Sequence, residues 1–370
     1  MGKKLHIISL DIPSPPDYGG VIDIFYKLKS LHTIGVEITL HCFEYGDRKP
    51  STELQQYCTK VYYYKRLIGI RGLHPSLPYI ISSRRDPALL TNLLKDDAPV
   101  LFEGVHCLYY AMDEALAGRK KILRAHNVES DYYRSLATHA GSVLKQLYYS
   151  FESNRLSFFE KSMHQYVDVI LSISESDYRY FTQTYPSVKH FFIPAFHANE
   201  EVDIQVGSGH YCLYHGNLSV AENVRSARYL AETIFKHVDS KLIIAGKDPD
   251  ETVIALQNDH IKVIPNPDTQ TLVTLIREAH IHVLPAFQST GLKLKLLHAL
   301  FIGRHCLTNI AVSETALQET IHVADTDEEF IFQVQELIKR PFTETDIKIR
   351  KQALAFYSNI ERAMDIEGFL

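Results

Sequence analysis

Short apolar runs alternate with stretches of helical spacing along almost the whole chain, and the alternation runs through twice. Leu5-His6-Ile7-Ile8-Ser9-Leu10 is the kind of brief apolar segment that a parallel sheet buries on both faces. A loop with Pro13, Pro15, Pro16, Gly19 and Gly20 follows, and then Ile24, Phe25, Leu28 and Leu31 recur at helical spacing up to Gly35. Residues 36–43 are the next apolar run, which completes a βαβ unit. Further strands are predicted at 61–64, 100–102, 121–124 and 167–172, with a long helix over 142–164. A polar stretch, 197–210, reads as a linker. Beyond it strands at 211–215, 241–245, 261–264, 281–285 and 305–308 alternate with helices at 223–236, 250–258, 269–279, 293–302 and 327–339. Such repeated alternation predicts an α/β protein of two doubly wound, Rossmann-like domains. The expected division is 1–197 and 198–345, with 346–370 as a C-terminal helix able to cross back to the first domain.

Length supports two cores, since 370 residues exceed what one core usually organises. A net charge of −5 argues against a nucleic-acid partner. The five cysteines, Cys42, Cys58, Cys107, Cys212 and Cys306, are scattered without a C-x-x-C pair, so neither a zinc knuckle nor a disulfide framework is expected. The first apolar run is too short for a secretion signal and is closed by Asp11 and two prolines. No charge-free window is long enough to span a bilayer. A cytoplasmic protein is expected, with any membrane contact peripheral, at the inner surface.

In doubly wound sheets ligands gather beyond the carboxyl ends of the strands. Four places there stand out. Gly19-Gly20 opens a helix and allows close approach of backbone amides to a phosphate; a plain turn fits the pair equally well. His126, within Arg124-Ala125-His126-Asn127-Val128-Glu129, follows a strand and has a side chain suited to acid–base work or to a sugar hydroxyl. Glu103 and His106 hold weaker positions of the same kind. Gly216 and Asn217 end the first strand of the second half, with Asn223 just beyond. Finally, Gly291, Leu292, Lys293 and Lys295 open a helix whose amino end and lysines favour a diphosphate. Asp248-Pro-Asp250 and Asp325-Thr-Asp327 precede helices and read as caps, so no metal site is expected.

In this register the chain resembles the family 4 glycosyltransferases, of GT-B architecture. The resemblance rests on Gly19-Gly20, His126-Asn127-Val128-Glu129, the segment 172–177, Gly216 with Asn223, Ala245-Gly246, and above all the helix from Gly291 to Gly303. It implies two Rossmann-like domains facing across a cleft. Gly19 and Gly20 would face the donor diphosphate, His126 would contact the donor sugar, Gly216 would line the nucleotide site, and Gly291, Leu292 and Lys293 would hold the pyrophosphate. The implied reaction is transfer from a UDP- or GDP-sugar, as substrate rather than cofactor, to a glycan or lipid-linked acceptor, with retention and without an obligatory metal. His298 stands where the family carries a glutamate on the ribose hydroxyls, and no basic residue follows Gly216 closely; Lys247 or Arg225 would have to substitute. Two alternatives stay open: a non-catalytic sugar-nucleotide-binding partner subunit, and a sugar-nucleotide epimerase.

Overall fold

The computed structural model describes residues 2–138, 140–287, 294–309 and 315–370. The chain forms two compact units. Residues 2–196 and Asn359–Leu370 make the first, and the described residues of 197–358 make the second.

The first unit is built on a parallel seven-stranded sheet of β1 (Lys4–Ser9), β2 (Glu37–Glu44), β3 (Lys60–Lys65), β4 (Val100–Glu103), β5 (Lys121–Ala125), β6 (Val169–Ser172) and β7 (Lys189–Phe192). The order is β3-β2-β1-β4-β5-β6-β7. Because side chains alternate across a strand, neighbours in sequence serve opposite cores. Ile7, Leu101 and Ile122 pack with Ile24 and Leu28 of helix α1 (Gly19–Thr33), whereas Ile8, Phe102 and Leu123 pack with Leu156, Phe159 and Phe181. Both faces of the sheet are therefore covered, as its nearly unbroken apolar strands require.

The second unit repeats the design with β8 (Cys212–Asn217), β9 (Leu242–Lys247), β10 (Ile261–Pro265), β11 (Ile281–Val283), β12 (His305–Thr308) and β13 (His322–Val323). Its order is β10-β9-β8-β11-β12-β13, again parallel. In each sheet the strand order reverses beside the first strand, between β1 and β4 and between β8 and β11. These are the switch points at which doubly wound sheets open a ligand crevice. The fold class read from the sequence is thus the one observed.

Several element boundaries differ from the sequence reading. The C-terminal helix expected within 346–370 is two helices, Glu344–Leu354 and Asn359–Glu367, separated at Ser358 by extended backbone (φ −62°, ψ 120°). The break has a packing cause, because the two halves belong to different cores. Arg350 donates to Leu300 O at 2.8 Å and to Arg304 O at 2.7 Å in the second unit, while Ala363 and Ile366 are buried against α1's face of the first. The stretch 197–210 is not a free linker. Asp203 N donates to Phe301 O at 2.9 Å, Gly207 pairs with Phe342, and Gly209 N donates to His280 Nδ1 at 3.0 Å. The helix expected over 250–258 is one turn, Glu251–Ile254, capped by Asp250 through Val253 N–H at 3.0 Å. Both D-x-D triplets supply a cap, but only in this one is the cap an aspartate. Thr326 caps the helix Asp327–Lys339, and Asp327 instead accepts from Tyr229 OH at 2.6 Å. All five cysteines are buried free thiols.

Candidate active site

The polar centre of the first unit forms where β1, β4 and β5 end. Asp23 and Lys27, one turn apart on α1, are both fully buried, and so are Glu103 at the end of β4 and Arg124 near the end of β5. Lys27 Nζ lies 2.8 Å from an oxygen of Asp23 and 2.8 Å from an oxygen of Glu103. Arg124 clasps Asp23 with two nitrogens, at 2.8 and 3.2 Å, and also donates to the carbonyls of Ile193 and Pro194. Phe196 N donates to Asp23 Oδ1 at 2.8 Å. Burial works against ionisation of Asp23, but Arg124 and Lys27 outweigh it and hold the carboxyl below its usual range. Two acidic side chains thus face a lysine and an arginine, the pairing that buried charged groups require.

His126 completes the cluster. Its Nε2 lies 2.9 Å from Glu103 Oε2 and 3.9 Å from Asp23 Oδ2. Glu103 can aim inward because the chain turns at Gly104, whose φ of +75° suits glycine. The other ring nitrogen faces the start of α1: a Cβ built on Gly20 would lie 3.8 Å from His126 Nδ1. Among the described residues no partner is recorded for Nδ1. That helix start carries no side-chain cap at Tyr18 and no acidic residue in its first turn, so its amides are open to an anion. The proline-rich loop before it is fixed in place. Tyr18 OH donates to Asp11 at 2.8 Å, Arg48 donates to Ile12 O and Pro15 O at 2.9 Å each, and Arg84 donates to Leu10 O at 3.0 Å.

Gly19, Gly20, His126 and Glu103 are therefore assembled as a single place. His106 is set apart from it: burial keeps its ring neutral, and its Nδ1 points toward Glu129, 3.9 Å away. The sequence reading missed Asp23, Lys27 and Arg124. Their signal was a charge on each of two buried helical positions and one inside a wholly buried strand.

The second unit carries a different centre at the end of β8. Gly216 lies against Asn223, whose Nδ2 would be 3.3 Å from an added Cβ. Gly246 on β9 admits no side chain, because a Cβ there would strike Gly216 O. Asn223 Nδ2 donates to Asn217 O at 2.8 Å, while its Oδ1 accepts from Tyr214 OH at 3.1 Å and from Lys295 Nζ at 2.9 Å. Lys295 also lies 3.0 Å from Tyr214 OH and 4.7 Å from the centre of that ring. It is not the free cation of a helix start that the sequence suggested. Its side chain is half-buried, and burial lowers the ammonium pKa to about 8.

His298, one turn beyond Lys295 in the helix Leu294–Ile302, sits 6.2 Å from the ring of His215, which lies 6.2 Å from His282. Burial holds His298 near 4 and His282 near 3, and His215 well below the ordinary value, so all three rings are neutral at pH 7. Arg225, a candidate substitute cation, stacks on Phe287 at 4.1 Å. Gly216, Asn217, Lys295 and His298 are thus gathered at the β8 end, whereas Gly291, Leu292 and Lys293 lie outside the described residues.

Comparison with known proteins bears on the fold of the chain. No protein-family model matches the chain. A Klebsiella pneumoniae protein, known only as an uncharacterized 44.6 kDa protein in the cps region, is 26% identical over 317 residues, covering 80% of each chain. Sucrose-phosphate synthase from Thermosynechococcus elongatus superposes with a TM-score of 0.70 at 12% identity, covering 98% of this chain and 97% of its own. A TarM variant from S. aureus, solved with UDP, gives 0.66 at 9% identity and 99% coverage of each chain. HepE from Anabaena, also solved with UDP, gives 0.61 at 12% identity and 98% coverage of each. The chain shares the GT-B glycosyltransferase fold with these proteins. Among the described residues no helix is long and apolar enough to cross a membrane.

Proposed function

We propose that the chain is a glycosyltransferase that takes a nucleoside-diphosphate sugar and passes the glycosyl group to a hydroxyl of a glycan or a lipid-linked acceptor. One observation carries this reading: His126, held by Glu103, faces an open helix start at Gly19-Gly20. A carboxylate on Nε2 keeps the ring proton there and leaves the Nδ1 lone pair for a sugar hydroxyl. The bare amides of α1 beside it attract a phosphate. In the second unit, considered by itself, Lys295 and the Gly216 turn bring a cation and a close backbone approach together at one strand end. UDP, the ligand solved with HepE and with the TarM variant, is the first nucleotide to test. The cps-region relative makes polysaccharide assembly the natural setting.

Retention without a metal belongs to the proposal. Oxygens of Asp23 and Glu103 and a nitrogen of His126 lie within 4.8 Å of one another, close enough for three metal ligands. The Lys27 ammonium already sits 2.8 Å from each carboxylate and supplies the counter-charge a metal would bring. Paired in this way, neither carboxylate stands free as a nucleophile. Transfer then takes place on the face from which the diphosphate departs. The bond from the anomeric carbon to the diphosphate oxygen breaks, the bond to the acceptor oxygen forms on that face, and the acceptor proton passes to the leaving diphosphate.

Calorimetric titration with UDP, GDP and their sugars tests the reading, together with donor hydrolysis in the absence of acceptor. Binding of at least one of them, with slow hydrolysis of its sugar, is expected; no binding of any at millimolar concentration sinks the proposal. A second reading, a sugar-nucleotide-binding subunit without turnover, is favoured by one observation: a neutral His298 cannot hold ribose hydroxyls with the charge of the glutamate expected there. Turnover that His126→Ala abolishes decides for the enzyme. Binding without turnover, strengthened by His298→Glu, decides for the subunit.

A further inference from the structure

The helix Val143–Met163 is apolar on two sides. Leu156, Phe159 and Met163 lie in the core of the first unit. On an adjoining side Leu144, Leu147, Tyr148, Phe151 and Phe158 follow one another at helical spacing and stand in solvent, Leu144 80% and Phe158 76% exposed. Every residue from 143 to 148 is exposed, so the amino-terminal part of the helix has no covering element among the described residues. A surface helix normally turns a polar side to water. An apolar stripe of this length marks a partner.

A second apolar segment adjoins it. The Arg155 guanidinium stacks 5.4 Å from the centre of the Phe151 ring and donates to His74 O at 2.6 Å, which lays the 67–77 loop against the middle of the helix. That loop exposes Ile68, Leu73 and, at 87%, Ile70. Arg85 fixes it by donating to Arg71 O at 2.8 Å.

The charge around this face is mainly positive. From Leu54 to Arg85 the chain carries Lys60, Lys65, Arg66, Arg71, Arg84 and Arg85 and no acidic residue. From Tyr132 to Val167 the only acids are Glu152 and Glu160, both buried, against Arg134, Lys145, Arg155 and Lys161. Asp131 is paired with Arg134 at 2.5 Å and Arg84 is buried, which leaves Arg71, Lys145 and Lys161 as exposed cations on or beside the apolar face of a protein of net charge −5.

We propose that this face docks on an anionic lipid bilayer. Leu144, Leu147, Phe151 and Phe158 would enter the boundary between headgroups and acyl chains, while Arg71 and Lys145 meet lipid phosphates. Charge selects this occupant over a second copy of the chain. A two-fold contact through the same face would set its cations against one another across the interface. The proposal stands on this surface alone and does not depend on the transfer reading.

Flotation of the intact chain with vesicles tests it. The chain should float with phosphatidylglycerol–phosphatidylethanolamine vesicles and stay behind with pure phosphatidylcholine at about 0.1 M salt. The Arg71→Glu/Lys145→Glu pair should weaken flotation by more than tenfold, since each cation near such a surface contributes about fivefold. Leu147→Ser/Phe158→Ser should do the same with an unchanged melting temperature. If the apolar pair melts early, the charge pair decides alone. The proposal falls if flotation on anionic vesicles does not exceed that on phosphatidylcholine or if the charge pair floats like the wild type. It falls equally if the chain is a dimer that the apolar pair converts to monomer.

Discussion

The two units place a polar cluster at the same point of the same kind of sheet and build it from opposite materials. In the first unit Asp23, Lys27, Glu103 and Arg124 are full charges buried in pairs, and His126 is tied to one of them. In the second, His215 and His282 are neutral rings whose nitrogens find no hydrogen bond among the described residues, and Lys295 rests on a tyrosine and an asparagine, with the charge of Glu222 acting on it more weakly than its burial does. A cluster of paired charges fails when one member is deleted, because the survivor is left ionised in a low-dielectric site. A cluster of neutral rings tolerates deletion but does not tolerate protons.

Deletion should therefore separate the units most sharply. Lys27→Met or Arg124→Met strands a buried carboxylate and is expected to cost about 3–5 kcal/mol in urea denaturation. Lys295→Met removes a cation that burial already disfavours, and its loss should stay within about 1 kcal/mol. Equal losses in the two variants would erase the contrast.

Acid should produce the converse. Burial first of all holds His282 near 3 and His298, His305 and His322 near 4, all in the second unit. A histidine whose folded pKa lies below its unfolded value of about 6.5 contributes its full stability above that pH and loses it as the pH falls toward the folded value. In the first unit burial raises Glu129 to about 8 and Glu160 to about 7. These groups act in the other sense, stabilising the fold at low pH and losing that contribution as the pH climbs from about 4.5 through those values. His6, His41 and His106, also lowered by burial, offset part of that gain. Hydrogen exchange at pH 7 and pH 5 should show β8, β9 and β11 losing protection before β1, β4 and β5. The opposite order would mean that the buried imidazoles do not control acid stability.

How far the sequence reveals each cluster differs for the same reason. Alternation and glycine punctuation marked both sheets, the α1 start and the Gly216 turn, because those signals are local. His126 was legible from its place just after a strand. Asp23 and Lys27 were not, since helical spacing counts Ile24, Phe25, Leu28 and Leu31 as the inward stripe and assigns the charges between them to water. The helix buries a wider arc than that, and an Asp–Lys pair one turn apart within it becomes meaningful only once Glu103 and Arg124, far along the chain, are known to face it. Lys295 failed in the other direction. A lysine in the first turn of a helix looks solvated, and only Tyr214 and Asn223, brought in by β8 and the helix after it, turn it inward. The break at Ser358 depends likewise on which core each half of the last helix serves.

Catalysis and affinity should also divide between the units. His126→Ala is expected to lower the transfer rate by roughly 10²-fold, the order of a lost contact that holds the donor sugar in its reactive position, with the KM for donor little changed. His298→Ala should leave the rate nearly intact and shift only the KM for donor, by a few-fold. Rates and KM values measured for both variants with one donor would reverse the assignment if the His298 variant lost the rate and the His126 variant kept it.

The smallest effect is the most specific to the second unit. Burial puts the Lys295 ammonium near 8, so it carries its charge at pH 7 and sheds it as the pH rises toward 9. A diphosphate drawn to that charge should bind about fivefold more weakly at pH 9 than at pH 7, the order of one ion contact at a partly exposed site. Lys295→Arg, whose guanidinium keeps its proton throughout this range, should flatten the profile if the charge itself attracts the ligand. A nucleotide affinity that falls between pH 7 and 9 to the same extent in both proteins would assign the effect to some other group. The second cluster would then bind by shape and neutral hydrogen bonds alone, which widens its difference from the ion-paired first.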